Sequence, residues 1–380
     1  MTILSNIQYD WRIDLIRKHA KIGEAKFKSC SVDFVENADV TRTMKAMIPF
    51  DGFHVEDILV KKDEEEIYFD GTRYFDGTWC FSHGNGYWDV VSNSFNMFSD
   101  RLRPVLLING EEYNLGDYMV ISAPLEDDGK EYCYDIEAYD ETMMLKQAAL
   151  TERKYFAAGT QYTSILGALI IDCGLSRILG DNTTATITVD HEYAIGTPYL
   201  QIINELLDEI NYSHIYAGTD GYLFLSKNKT KIVADFTYTE ENSTVIAPIK
   251  TDTDIYSLPN VIVGFTSSPD SSTVLQYKKV NNNPDSAIST VNRGYNVVEM
   301  IQLDDCPDQT TLEEAVNYRY MEATQATETA TVVTMPDGDH VYGSYIGLGQ
   351  RDNYGLFREV GWSIEFGGQM SHKLERKAFV

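Results

Sequence analysis

SDRLRPVLLINGEEYNLGDYMVISAPLEDDGKEYCYDIEAYDETMML, residues 99–145, changes its structural period once, near its end. Val105–Asn109, Asp117–Ser122 and Tyr132–Ala138 are short runs of strand-forming residues. Turn signals at Asn109-Gly110 and Asp128-Gly129 punctuate them. Asp140–Leu150 then supplies an acidic cap followed by strong helix formers. The stretch closes an antiparallel β unit and opens a helical one. Arg101 and Arg103 flank Leu102 and share a face if the segment is extended. In an acidic chain they are candidates for pairing with carboxylates, across a subunit interface or within the chain.

Towards the N-terminus, Cys30, Val32 and Phe34 alternate with polar neighbours, as a half-buried strand requires. Val55–Val60 and Ile67–Phe69 continue the pattern after the Asp51-Gly52 turn signal. Residues 25–140 therefore read as one antiparallel β unit. Ahead of it, Trp11, Ile13, Leu15 and Ile16 have a spacing compatible with a short helix over Tyr9–Ala20, so residues 1–24 are expected to form a helical segment. Within the β unit, residues 68–79 (YFDGTRYFDGTW) repeat one hexapeptide. Asp-Gly suits tight hairpin turns and the flanking aromatics suit strands. The repeat reads as a local hairpin, with an aromatic sugar platform as the competing reading. Two copies are too few to stack a repeat core.

Towards the C-terminus, residues 141–230 read as a compact α+β unit. Helices are expected over Thr163–Cys173, ended by Gly174, and over Thr197–Ile210, whose Leu200, Ile203, Leu206, Leu207 and Ile210 form an apolar stripe. A short strand is expected at Thr186–Val189, and two more around the Thr219-Asp220-Gly221 turn. Residues 231–380 return to β structure, with strands at 258–265, 274–280, 295–301, 329–334, 342–347 and 359–366. One helix interrupts them, Thr311–Ala326, capped by Thr310 or Thr311.

The chain has 380 residues and a formal charge of −27, which repels phosphate backbones and argues against docking on nucleic acid by charge. Its 25 tyrosines fit a sheet-rich or interface-rich protein. The five cysteines are scattered without a CxxC, as expected of buried thiols in a protein made in a reducing cytosol. The N-terminus lacks the pattern of a signal peptide. The most apolar stretch, Ile165–Leu175, is too short to span a membrane.

Familiar catalytic signatures do not occur: no GxSxG, no phosphate loop, no HExxH. Gly84-Asn85-Gly86 and Gly347-Leu348-Gly349 read as turns. The seven histidines (19, 54, 83, 191, 214, 340, 372) show no metal-ligand spacing. His191-Glu192 reads as a polar loop, with an acid/base pair as the sharper alternative. Asp304, Asp305 and Asp308, and Asp337 with Asp339, do not match a calcium loop and read as capping and turn residues. Asp63–Glu66 reads as a solvated loop or a charged strand edge. No catalytic, cofactor-binding or metal-ligating residue is assigned, and the chain is expected not to be an enzyme.

The order of these pieces resembles the baseplate-hub proteins of tailed phages and related contractile particles, T4 baseplate-hub-like and prophage XkdQ/YqbQ-type. In residues 99–145 the resemblance lies in the basic-Pro strand, the Asn-Gly turn, and Tyr113-Asn114-Leu115-Gly116, with Asn where Pro is common. It continues through the Asp220–Leu225 hairpin, SLPNVIVGF (257–265), NNNPDSAIST (281–290), DQTTLEEAV (308–316) and the run from Arg358 to Arg376. It implies an α+β protein with two tail-tube-like antiparallel β-barrel or sandwich domains (25–140 and 231–380) bracketing a small α+β domain (141–230). It further implies a homotrimeric ring of pseudo-sixfold symmetry in the virion tail, assembled in the host cytoplasm. That ring would join a tail tube or distal tail protein to a spike or tip protein, with the tape-measure protein as a further candidate partner; the first 24 residues are left open between the tape-measure protein, a neighbouring subunit and their own domain. Viral DNA would pass through its lumen without specific binding. A tail-associated cell-wall hydrolase and a host-glycan-binding tail protein are the alternatives.

Overall fold

The computed structural model describes residues 7–36, 38–55, 59–62, 87–90, 94–127, 129–228, 231–239, 250–251, 258–266, 274–303, 306–323, 326–350 and 353–378. The chain opens with β1 (Tyr9–Arg17), β2 (Ala20–Ala25), β3 (Ser29–Val35), β4 (Arg42–Pro49) and β5 (Phe53–Val55). After a separate antiparallel pair, β6 (Leu59–Lys62) with β7 (Tyr87–Val90), come β8 (Arg101–Ile108), β9 (Glu111–Asn114), β10 (Tyr118–Ser122), β11 (Leu125–Asp127) and β12 (Tyr132–Asp140).

The helix expected at Tyr9–Ala20 is instead β1 and the turn after it. Along β1, Ile13, Asp14, Leu15 and Ile16 are all buried, so both faces are covered. A strand covered on both sides loses its alternation, and its apolar run no longer distinguishes it from a helix. Both β1 and β2 belong to the main sheet, through pairing of β1 with β8 and of β2 with β1.

The middle of the chain carries α1 (Thr142–Gln147), β13 (Lys154–Phe156), α2 (Tyr162–Asp172), β14 (Ile178–Gly180), β15 (His191–Tyr193), α3 (Tyr199–Glu209), β16 (Tyr216–Ala217) and β17 (Leu223–Leu225). Its own core joins Tyr162, Ile165 and Leu169 of α2 to Leu200, Ile203, Leu206 and Leu207 of α3. The apolar stripe read for α3 is thus the face it buries. Instead of a strand at Thr186–Val189 there is one bridge, Gln161 to Thr186, and the strand falls at β15.

The remaining elements are β18 (Phe236–Thr239), β19 (Lys250–Thr251), β20 (Val261–Thr266), β21 (Gln276–Val280), α4 (Thr290–Arg293), β22 (Val298–Leu303), α5 (Gln309–Ala323), β23 (Ala326–Thr334), β24 (Tyr345–Gln350), β25 (Asn353–Glu365) and β26 (Met370–Ala378). The cap of α5 is Asp308, whose carboxylate accepts from the Thr311 N–H at 2.8 Å, not Thr310 or Thr311. Helix α5 lies on β20–β22 through Ile262, Leu312 and Val316. Gly347 and Gly349, expected in a turn, pair with Leu356 and Tyr354 inside a strand hairpin.

The decisive topological fact is the pairing of β3 with β25. It merges the first and last β regions into one sheet ordered β19-β23-β26-β25-β3-β4-β12-β10-β8-β1-β2-β5. Among the described residues no sheet closes on itself. One core runs through the junction, from Ile13, Leu15, Met44 and Ile48 to Trp362, Ile364 and Met370. No helix among the described residues is long and apolar enough to cross a membrane.

Candidate functional site

The β3–β25 junction holds a cluster of buried polar groups. A cross-strand row places Arg42 of β4 beside Phe34 of β3, and Phe34 beside Trp362 of β25. Arg42 is 1% exposed, and its guanidinium lies 5.5 Å from the Phe34 ring centroid and 5.4 Å from that of Trp362. Two aromatic faces and the Leu115 carbonyl, 3.1 Å from Nη1, take the place of water around this cation. Nearby, Asp140 accepts from the Arg42 and Thr142 N–H groups at 2.8 Å each. Its burial still raises its pKa above the ordinary carboxylate value.

Beyond the junction, Glu359 of β25 bridges two histidines. Its Oε2 lies 2.8 Å from His340 Nδ1 and its Oε1 2.6 Å from His372 Nδ1. The far ring nitrogens meet hydroxyls, Tyr238 Oη at 2.8 Å and Thr334 Oγ1 at 2.8 Å. All three central residues are at most 1% exposed. Desolvation opposes the Glu359 charge, but the two imidazoles outweigh it and hold the carboxyl below its ordinary value. Desolvation likewise lowers His372, with Glu359 acting against it.

These are metal-ligand residue types, and one ligand atom from each lies within 4.8 Å of the others. The carboxylate fills the space between the rings, and every polar atom of the triad already has a partner. The arrangement is a satisfied buried network linking β18, β23, β25 and β26 to the loop before β24. Sequence spacing could not reveal it, because Glu359 and His372 come together only through strand pairing.

The two arginines singled out by sequence do share a face: Leu102 is fully buried between them, and their side chains are 16% and 15% exposed. Arg103 forms a bidentate pair with Asp117 at 2.5 and 2.7 Å. Arg101 lies 3.5 Å from Glu141 and donates to the Ser99 carbonyl at 3.1 Å. The geometry supports pairing within the chain.

His191 and Glu192 face different partners, Glu209 at 3.7 Å and Arg153 at 2.7 Å, and do not form an acid/base pair. Asp337 accepts from the Asp339 N–H, as a turn residue does. The repeat at 68–79, the acidic run 63–66, Gly84-Asn85-Gly86, His83 and Asp304-Asp305 lie outside the described residues.

Comparison with known proteins returned no matching family model and no matching curated protein. The fold, however, is that of known tail proteins. The tail protein from Neisseria meningitidis MC58 matches over 96% of both chains at TM-score 0.60 and 10% identity. The 43 kDa tail protein of prophage MuSo2 from Shewanella oneidensis matches at 0.57 and 9% identity, over 96% of this chain and 98% of that one. Prophage tail protein gp18 from Listeria monocytogenes EGD-e matches at 0.52 and 10% identity, over 96% and 94%.

Proposed function

We propose that this chain is a structural component of a phage-type tail, the hub that joins the tail tube to the spike or tip, and that it works as a homotrimer. The observation that carries this reading is end-to-end likeness in fold to three tail proteins, covering nearly the whole of each partner chain. Correspondence of whole chains, and not of one module, favours a shared architectural role over a shared catalytic one.

The fold suits that role. One sheet runs through the first and last β regions, giving a stiff body on which the α+β unit is mounted. Among the described residues the sheet's path ends at β5 and β19; ends of this kind offer backbone groups that neighbouring subunits can pair with, and a ring removes such edges. Two β regions per subunit and three subunits give pseudo-sixfold symmetry, which matches a hexameric tube. The charge of −27 fits a lumen that repels DNA and lets it slide.

On this account the tube or distal tail protein binds one face and the spike or tip the other. Negative-stain imaging of the purified protein, alone and with its tube protein, tests the reading. Rings of three- or pseudo-sixfold symmetry are expected; discrete single subunits in both samples would overturn it. Zymography on peptidoglycan is expected to show no clearing, and clearing would favour the hydrolase alternative.

A further inference from the structure

A basic notch of about 150 Å³ lies where the first β region meets the α+β unit. Five segments build it: the β1–β2 turn with Lys18 and His19, the start of β8 with Arg101, the α1 region with Glu141 and Met144, Arg177 after α2, and Leu223 of β17. Its rim is unusual in backbone terms. Arg17 pairs with Ala20, leaving Lys18 (φ 48) and His19 (φ 66) as a two-residue turn with both residues left-handed. Such turns normally carry Asn-Gly, because longer side chains strain there. Strain of this kind collects at functional positions, and here it sets a lysine and a histidine on the notch.

The charges do not balance. Arg103, just below, is matched by Asp117. The carboxylate nearest Arg101 is Glu141 at 3.5 Å; its Nη1 donates to the Ser99 and Asp100 carbonyls, and its buried Nε has no hydrogen-bond acceptor among the described residues. Burial pushes the Glu141 carboxyl up to about 7, against the pull of Arg101 and Arg177 and with the push of Asp117, so at neutral pH it carries only part of a charge. Neither Lys18 nor Arg177 has a carboxylate at salt-bridge distance among the described residues, and Arg177 acts on Glu141 only from further off; Arg177 lies 3.9 Å over the Tyr222 ring, which orients the planar fork without neutralising it. Burial first, and then Arg177, hold His19 below its ordinary value, with Arg101 and Arg103 adding to the effect and Asp117 opposing it. The field of these guanidinium groups therefore reaches the notch.

We propose that this notch binds a single oxyanion group, a carboxylate or a phosphate, with Arg177 and Arg101 as guanidinium donors and Lys18 closing the rim. Planar guanidinium forks match both groups. An extended polyphosphate is disfavoured, because the chain as a whole carries a net charge of −27. The two sources of the chemistry are a free anion and a carboxylate presented by another protein chain. The inference goes beyond the tail reading and does not depend on it.

Calorimetric titration of the full chain with inorganic phosphate, and separately with succinate, at constant ionic strength tests it. Saturable binding of one anion per chain is expected. Arg177→Gln should weaken it at least tenfold, and Glu141→Gln, which removes the competing carboxylate, should tighten it. Lys231→Gln, remote from the notch, should leave it unchanged. Binding of succinate, whose charge is nearly constant over this range, should weaken from about pH 6.5 to pH 8 as Glu141 ionises, and that slope should flatten in Glu141→Gln, a response a merely structural role would not give. Light scattering with saturating phosphate separates the sources: a fall in mass assigns the site to a partner chain's carboxylate, and an unchanged mass to the free anion. Circular dichroism checks that each variant folds. Non-saturable binding, or equal affinity in folded Arg177→Gln, would overturn the proposal.

Discussion

Arg358 and Glu36 lie 322 residues apart in sequence and meet across the β3–β25 junction, where Nη2 and Nε donate to one carboxylate oxygen at 2.6 and 3.1 Å. The Glu36 side chain is 2% exposed and that of Arg358 27%. Burial works against the Arg358 charge, but Glu36 and Tyr318 more than offset it, so the guanidinium stays fully charged. Removing one partner leaves the other charged and desolvated, which costs about 3 kcal/mol. Glu36→Gln and Arg358→Met are each expected to lower stability by that order in denaturant unfolding. The double variant is expected to lose less than the sum of the two. Additive losses would show that the pair is not coupled.

Gly264 is expected to tolerate no side chain. A Cβ there would stand 2.3 Å from Val316 Cγ2 and 3.1 Å from Leu312 Cδ1, where α5 rests on β20. Gly264→Ala must push the helix away, at about 1–3 kcal/mol. Hydrogen exchange should then rise in α5 and stay unchanged in α3; unchanged exchange in α5 would contradict the packing.

The Glu359 network gives a pH dependence with a definite sign. The His372 pKa is lowered from 6.5 in the folded chain, so the unfolded chain binds more protons below that value. His372 therefore contributes stability above about pH 6.5 that is lost on acidification. Glu359, also lowered, contributes in the same direction from its ordinary value of 4.5 downward. The difference in melting temperature between the natural chain and His372→Gln is expected to grow from pH 5 to pH 7 and then level off. A constant difference would show that His372 titrates as it does in the unfolded chain.

Glu141 acts with the opposite sign. Its folded value near 7 lies above its ordinary 4.5, so stability is lost as pH rises between the two. The shift corresponds to at most about 3 kcal/mol. Glu141→Gln is expected to gain stability over the natural chain as pH rises from 5 to 8, by thermal unfolding; no change across that range would contradict the buried, proton-holding Glu141.

What could be read from sequence was local. Asn109-Gly110 marks a hairpin, and both residues are left-handed there, φ 53 and 86. The α3 stripe is buried as its spacing required. The reading failed where tertiary context overrode period, as in β1, covered on both faces. It also could not reach what only long-range pairing creates. Nothing near Phe34 announces that Trp362 will pair with it, and Lys18, Arg101 and Arg177 reach one notch from three distant segments. The triad was hidden for the same reason, since its residues lie on different strands and loops.

The central claim, a trimeric hub, is tested most directly by the solution mass of the purified full chain, measured by light scattering over a concentration series. The account predicts a species near three times 43.0 kDa that grows in as concentration rises. A mass of 43.0 kDa at every concentration, unchanged when the tube protein is added, would contradict it.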